Sequence, residues 1–487
     1  MFSIVVTDVR RSFLLSFADS YLAVLLQLAS TVIVARLLTP AEVGVFAIAA
    51  VFSNLASAFR DFGVAEYLIQ EKNLDSQKIR AAFGLNIIVS WLMAASLFLA
   101  APIGASFYRE RGVGEVMRVL ALSFLILPFG AMVQSWFRRE LNYKPIVIAN
   151  AISGITAFVV VVSLALLGHG YMSMAWSAVA GIVSTVLVSL YFRPKDFPRW
   201  PGMKGMRGVF SFGKYAMSMY VLMQLGRGAA ELIIGRVRGA ADVGIFSRAN
   251  GMVELFRRLL LKPALQVCLP FFAKTQREQG NVVSSFVSST GLVTAVGWPF
   301  LAFLALTAYS VVRIVYGDQW MNAVPLAQVL CLACAIELMF LLAREALLAC
   351  GRAQRASVLQ LQIVAMQACG LLLVVPFGLP GAVWGLVTAA VAGLFVTQRH
   401  LSVAIGLRTS AIVRAVAPSA ALTIWTVGPL GICAYFVPVG NGNYVAWALL
   451  GSMATVLLWL VGLRFVRHPL WSEVLGLAAT FRRKKAT

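Results

Sequence analysis

R-L-L-T-P-A-E-V-G-V-F, from Arg36 to Phe46, and R-V-R-G-A-A-D-V-G-I-F, from Arg236 to Phe246, are one phrase written twice, 200 residues apart. Without a gap they share Arg36/Arg236, Ala41/Ala241, Val43/Val243, Gly44/Gly244 and Phe46/Phe246, with Glu42/Asp242 and Val45/Ile245 as close replacements. The apolar runs upstream also register, through Leu22/Leu222, Leu25/Leu225, Ala29/Ala229 and Ile33/Ile233. Further on, S-M-A-W-S-A from Ser173 matches G-A-V-W-G-L from Gly381, placing Trp176 opposite Trp384. The chain therefore reads as an internal duplication. Each copy of the phrase joins two apolar runs as a short loop, with its acid near the start of the second helix, where negative charge favours the helix dipole.

Sixty per cent of the residues are apolar and 12% charged, and the mean hydropathy is +0.85. These values belong to a polytopic membrane protein. A spanning helix takes roughly 20 apolar residues, and about 14 such runs follow one another between residues 13 and 463. No polar segment between them is long enough for a soluble domain. The expected fold is all-α: two six-helix lobes at 1–192 and 209–400, then two further helices and a basic tail at 401–487. Six spans per lobe is an even number, so the repeats enter the membrane in the same direction. Residues 193–208, R-P-K-D-F-P-R-W-P-G-M-K-G-M-R-G, are rich in Pro, Gly and charge and make the natural linker.

The net charge of +22 would suggest a nucleic-acid partner only on a soluble surface. Placed on the topology with both ends cytoplasmic, roughly two thirds of the 41 Lys and Arg fall in inside loops and tails, as the positive-inside rule requires. Membrane topology accounts for them, and no nucleic acid is implied. The opening M-F-S-I-V-V-T-D-V-R-R lacks the order of a cleaved signal peptide, so the first span is expected to remain. The six cysteines are scattered, and Cys331-x-x-Cys334 lies inside an apolar run, where small packing residues are expected. His169, His400 and His468 lie far apart at span ends. No metal or cofactor site emerges, and no nucleotide-binding loop, which leaves membrane potential, Na+ or H+ as driving forces.

The chemistry-bearing residues lie in spans 7 and 8. Gln224, Arg227 and Glu231 share one helical face by their spacing, with Arg227 roughly 13 Å from the outer end at about 1.5 Å per residue. Even insertion scales charge about 2.5–3.5 kcal/mol for arginine at a helix centre, so it must face water or a partner. Span 8 adds Arg248, Asn250, Glu254, Arg257, Arg258 and Lys262, the last three near the inner end, where they can snorkel. Span 10 supplies Glu337, Arg344 and Glu345, and seven residues return Glu337 and Arg344 to one face. The first half is sparser, with Asp19 and Gln27 in span 1, Arg60 and Asp61 ending span 2, and Asn86 in span 3. Buried bases outnumber the buried acids of the second half. That surplus invites an anionic cargo, and guanidinium groups hold phosphate oxygens bidentately. Glu231 is expected to orient Arg227, Gln224 and Asn250 to reach sugar hydroxyls, and the Arg36–Glu42 and Arg236–Asp242 loops to form the rim where the lobes close.

F-S-F-G-K-Y from Phe210, with A-E-L-I-I-G-R-V-R-G-A-A-D-V-G-I-F-S-R-A from Ala230, resembles the Wzx-like polysaccharide transporter family of the multidrug/oligosaccharidyl-lipid/polysaccharide flippase superfamily. The span plan carries the resemblance over essentially the whole chain. Glu231 stands where members commonly carry Asp, and Val237-Arg238-Gly239 replaces their Leu-Gly. The resemblance implies a flippase of the bacterial inner membrane, working by alternating access with cationic residues in a central cavity. It would carry undecaprenyl-pyrophosphate-linked oligosaccharide outward for exopolysaccharide, capsule or O-antigen, beside polymerase and export machinery. Rival readings are a lipid II flippase, a drug or cation antiporter, which would want buried acids, a membrane glycan polymerase or ligase, which would want a large outer loop, and a non-transporting scaffold.

Overall fold

The computed structural model describes residues 21–60, 64–71, 74–195, 197–198, 200–203, 205–437, 440 and 442–471. Asp19 and Asp61 lie outside them. Among the described residues every regular element is helical. Helix α1 covers Tyr21–Leu37. It is followed by α2 (Pro40–Arg60), α3 (Val64–Gln70), α4 (Ser76–Tyr108), α5 (Arg111–Arg139), α6 (Tyr143–Leu166), α7 (Tyr171–Tyr191), α8 (Met206–Arg238) and α9 (Ala240–Phe256). The chain continues through α10 (Lys262–Arg277), α11 (Val282–Val315), α12 (Ala323–Leu338), α13 (Ala343–Ala349), α14 (Ala353–Val374), α15 (Leu379–Ile405), α16 (Thr409–Phe436) and α17 (Tyr444–Phe465). Among the described residues 11 helical stretches are long and apolar enough to cross a membrane. The remaining expected spans fall on α1, described from Tyr21 onward, and on the charged helices α8 and α9.

The chain forms two compact units, Met1–Gly244 and Ile245–Thr487. In the first, α4 packs on α5, α6 on α7, and α5 on α7 and α2. Helix α8 packs on α2 and α4, and so belongs to this unit by contact although it opens the second repeat by sequence. Arg236 near its end stacks over the Phe107 ring of α4, 4.9 Å from the centroid. The linker is docked here too: Phe197 is buried with Phe83, Met132 and Phe137, and the Gly202 N–H donates to the Arg80 carbonyl (2.8 Å).

The duplicated phrase is a pair of very tight helix junctions. Thr39 precedes Pro40, the first residue of α2, and its backbone N–H and hydroxyl both donate to Glu42 Oε2 at 2.8 Å. The Glu42 N–H returns a long bond to Thr39 Oγ1 (3.4 Å), a capping box that starts the helix. In the second copy Gly239 turns the chain with φ 91°, and Asp242 accepts from Arg238 Nε (2.9 Å). Glu42 thus caps its own helix start, while Asp242 pairs with the last side chain of the helix before it. The two copies meet at their shared glycine. A Cβ on Gly44 would overlap the Ala240 carbonyl oxygen, and a Cβ on Gly244 would overlap the Pro40 carbonyl oxygen. This reciprocal backbone contact between the two copies of the phrase lies within the first unit and has no room for a side chain. Gly44→Ala and Gly244→Ala are each expected to lower the thermal midpoint of the purified protein by several degrees. Gly251→Ala, where the added carbon meets only Tyr316 Oη at 3.9 Å, leaves it unchanged.

In the second unit α11 is the central strut, packed on α12, α16 and α17. Trp459 Nε1 of α17 donates to the Ala295 carbonyl (2.9 Å), and Ser419 Oγ of α16 donates to the Gly291 carbonyl (3.1 Å). His468, just past α17, is buried: its Nδ1 accepts from the Leu470 N–H (3.1 Å), so its Nε2–H faces Ser419 Oγ (3.3 Å). This latch needs neutral imidazole, and burial pushes the His468 pKa down. The folded state therefore binds fewer protons than the unfolded one below about pH 6.5, the ordinary histidine value, and loses stability on acidification. His468→Gln is expected to flatten the acid side of the stability profile measured between pH 5 and 7.5. Cys331 and Cys334 are free and buried on α12, as small packing residues.

Candidate substrate-binding site

Arg248, on the third turn of α9, has the most unusual environment of the expected site residues. Its guanidinium lies 5.2 Å from the centroid of Trp320 and 5.8 Å from that of Tyr316. Both rings are buried. Its Nε and Nη2 are fully buried with no hydrogen-bond partner. Asp318, between the two aromatic residues in sequence, is taken by Arg313 (3.1 Å). Two aromatic faces stabilise the cation by about 0.5–2 kcal/mol each, but they leave its donors unmade, at about 1–3 kcal/mol for each buried group. The arrangement holds a charged fork with donors for which none of the described residues supplies an acceptor. Tyr316 and Trp320 were not among the expected site residues. Their trace in sequence is Y-G-D-Q-W at 316–320, an aromatic pair four residues apart in what reads as a connection between spans.

The other bases of this region are better answered. Arg257 Nη2 donates to Glu337 Oε2 of α12 at 2.6 Å, with somewhat over a third of each side chain exposed. Arg258 faces Glu254 at 3.5 Å, one turn back. Arg257 opens a π-helical turn, Arg257–Leu261, that interrupts the expected continuous span. Pro263 follows and has no N–H to close the regular bond back to Leu259, which favours the wider turn. Asn250 is half-buried.

Two expected pairings are corrected. Arg227 is exposed on α8, and among the described residues no hydrogen bond or ion pair joins it to Glu231. Glu231 Oε2 is instead buried without a partner. Shared helical face brought the two residues near one another in sequence register without making them meet. Gln224 on the same helix is half-buried. Nor do Glu337 and Arg344 share a helix face. Between α12 and α13 the chain tightens into i→i+3 bonds, Met339 N to Ile336 O and Phe340 N to Glu337 O, both 3.2 Å, and the seven-residue register is lost. Arg344 reaches only Glu345, at 4.0 Å. Gln27 is exposed on α1, and Asn86 is buried on α4, where it accepts from Ser90 Oγ (3.4 Å). Among the described residues no cluster of His, Cys, Asp and Glu has the make-up of a metal site.

The family model for polysaccharide biosynthesis proteins matches residues 33–325. The chain belongs to this family. The match contains the whole duplicated phrase and both rings around Arg248. Among curated relatives, the teichuronic acid biosynthesis protein TuaB of Bacillus subtilis is 28% identical over 305 residues, 61% of this chain and 62% of that protein. The lipopolysaccharide biosynthesis protein WzxC of Escherichia coli is 23% identical over 315 residues, 63% of each. The chain thus spans about three fifths of the length of the curated relatives it matches. The lipid II flippase MurJ, in an inward-closed conformation, shares the fold: TM-score 0.74 at 11% identity, covering 93% of this chain and 99% of that one. The all-α flippase fold expected from sequence is the fold observed.

The Arg257–Glu337 pair should behave as one unit. Glu337→Ala strands a guanidinium and is expected to cost about 1–3 kcal/mol. The Arg257→Ala/Glu337→Ala double variant costs less than the two single changes added together, as a double-mutant cycle of thermal or denaturant unfolding in detergent will measure.

Proposed function

We propose that the chain is a flippase that carries an oligosaccharide on a polyprenyl pyrophosphate from the cytoplasmic to the periplasmic leaflet of a bacterial inner membrane. Both termini lie in the cytoplasm, and the duplicated halves alternate access to the two sides. The observation that carries this reading is the Arg248 guanidinium, boxed by Trp320 and Tyr316 with buried donors unmade. A phosphate or acidic sugar supplies two acceptor oxygens at the spacing of those donors. Family membership and relatives named for teichuronic acid and lipopolysaccharide biosynthesis support a saccharide cargo. The MurJ-like fold is compatible with a lipid-linked one.

The energetics divide the cargo in two. Drawing the polyprenyl tail through water would cost about 0.8 kcal/mol per methylene, so the tail stays in hydrocarbon while the head crosses along polar groups. Arg248 engages its negative charge. Arg257, held by Glu337, is available only when that pair opens. Asn250 and Glu254 lie along the same helix as Arg248 to meet sugar hydroxyls. An inside-negative membrane potential favours outward movement of an anion by about 2.3 kcal/mol per charge per 100 mV, which offers a drive without a nucleotide. A polymerising and exporting machinery would consume the product outside.

The test is replacement of the chromosomal copy by Arg248→Ala in the native host, with protein level followed by immunoblot. The expected result is a tenfold or greater fall in exported polysaccharide, with lipid-linked precursor accumulating on the cytoplasmic side. Arg248→Lys, which keeps the charge but not the fork, gives an intermediate phenotype. Export at the parental level from normally expressed Arg248→Ala would overturn the assignment.

A further inference from the structure

A second cationic site, sharing no residue with that of Arg248, lies where α4 ends and α5 begins. The two helices enclose an open cleft of about 570 Å³, with Arg109, Arg111 and Arg118 on its walls beside Glu110 and Glu115. Its floor is made by small residues, Ala101, Ala105 and Gly114. The two acids are already engaged. Glu115 Oε2 accepts the Tyr171 hydroxyl at 2.8 Å, and Glu110 caps α5 by accepting from the Gly112 N–H at 3.5 Å. The three arginines are exposed, and among the described residues no hydrogen bond or ion pair holds any of them. The cleft therefore presents three guanidinium groups with unused donors against two carboxylates already bonded within the chain, a surplus of one positive charge that favours an anion.

Depth distinguishes these residues from ordinary loop charges. Arg118 is seven residues into α5, about 10 Å below its start at 1.5 Å per residue. Its guanidinium lies 5.9 Å from the ring centroid of Phe98, which is itself exposed. Leu99, Ile103, Phe107 and Leu122 are exposed on the same pair of helices, so this wall faces hydrocarbon in a membrane. An arginine on such a wall is costly unless it meets a phosphate or reaches the head-group layer. Arg109 adds a local sign. It ends α4 in the left-handed conformation (φ 55°, ψ 33°), where glycine is the usual residue, and yet carries a guanidinium to the cleft mouth.

We propose that this α4–α5 cleft is a binding site for the head group of an anionic phospholipid, whose phosphate is taken by Arg111 and Arg118 and whose acyl chains lie along Phe98, Leu99 and Ile103. A zwitterionic lipid brings an ammonium group toward the arginines and is disfavoured. In the orientation given by the charge bias of the loops, the site belongs to the outer leaflet. The inference does not depend on the cargo assigned to Arg248, because the two sites share no residue.

Native mass spectrometry of the full-length protein, released from detergent with added dioleoyl phosphatidylglycerol or dioleoyl phosphatidylcholine, resolves individual bound lipids. The wild-type protein is expected to retain one phosphatidylglycerol at least tenfold more strongly than phosphatidylcholine. Arg111→Gln/Arg118→Gln removes that preference, and Arg399→Gln, a distant control, does not. Should the double variant not be recovered folded, Arg118→Gln alone must weaken retention, with Arg118→Lys restoring part of it. Equal retention of the two lipids, or an Arg118→Gln protein that keeps the preference, overturns the proposal. Displacement of the bound phosphatidylglycerol by undecaprenyl pyrophosphate at equal concentration also overturns it, by assigning the cleft to the cargo.

Discussion

A guanidinium kept among packed helices without a carboxylate beside it is the constraint around which this molecule is arranged. Water stabilises such a charge and hydrocarbon does not, so the chain must offer a substitute. For Arg257 and Arg258 the substitute is an acid, Glu337 or Glu254. For Arg248 it is a pair of aromatic faces. An ion pair answers a charge fully, whereas a ring answers the charge and leaves the hydrogen-bonding edge of the guanidinium unused. Under the proposed function, partial compensation of this kind keeps the unloaded site tolerable without competing strongly with an anionic cargo.

The second requirement is a junction at which the two copies of the duplicated phrase can meet closely. The helix starts at Pro40 and Ala240 provide it by packing backbone on backbone through Gly44 and Gly244. Glu42 completes the capping box of its own helix start, and Asp242 pairs with Arg238 at the end of the preceding helix. Lobe closure at these loops is part of the transport proposal.

Much of the fold was legible in the sequence because a bilayer makes few demands and makes them everywhere: apolar length, loop charge and, here, a repeat that registers over 200 residues. The duplicated phrase contains the glycine at which its copies meet, although nothing in the sequence marks that glycine as a contact. Spacing was less reliable for the site. Gln224, Arg227 and Glu231 do lie along one helix, but face alone does not create a bond, and Glu231 is left with a buried oxygen unpartnered. The Glu337–Arg344 register failed because i→i+3 bonds after Leu338 break the helix without a proline or glycine to announce it. Arg257 found its partner 80 residues away, in a contact no local period encodes. The rings around Arg248, and Arg109 and Arg111 of the α4–α5 cleft, sit in stretches that read as connections, where tertiary packing rather than pattern gives a residue its meaning.

The central claim is that fixed positive charge in the second repeat recognises the pyrophosphate of a lipid-linked saccharide. The most direct measurement is transbilayer movement in proteoliposomes of a fluorescent disaccharide linked to polyprenyl pyrophosphate, compared with the same sugar on an uncharged polyprenol and read by an impermeant quencher. The account predicts rapid movement of the pyrophosphate form, slow movement of the neutral form, and loss of the difference in Arg248→Ala. Equal movement of the two lipids through the wild-type protein, or an undiminished preference in Arg248→Ala, would contradict it.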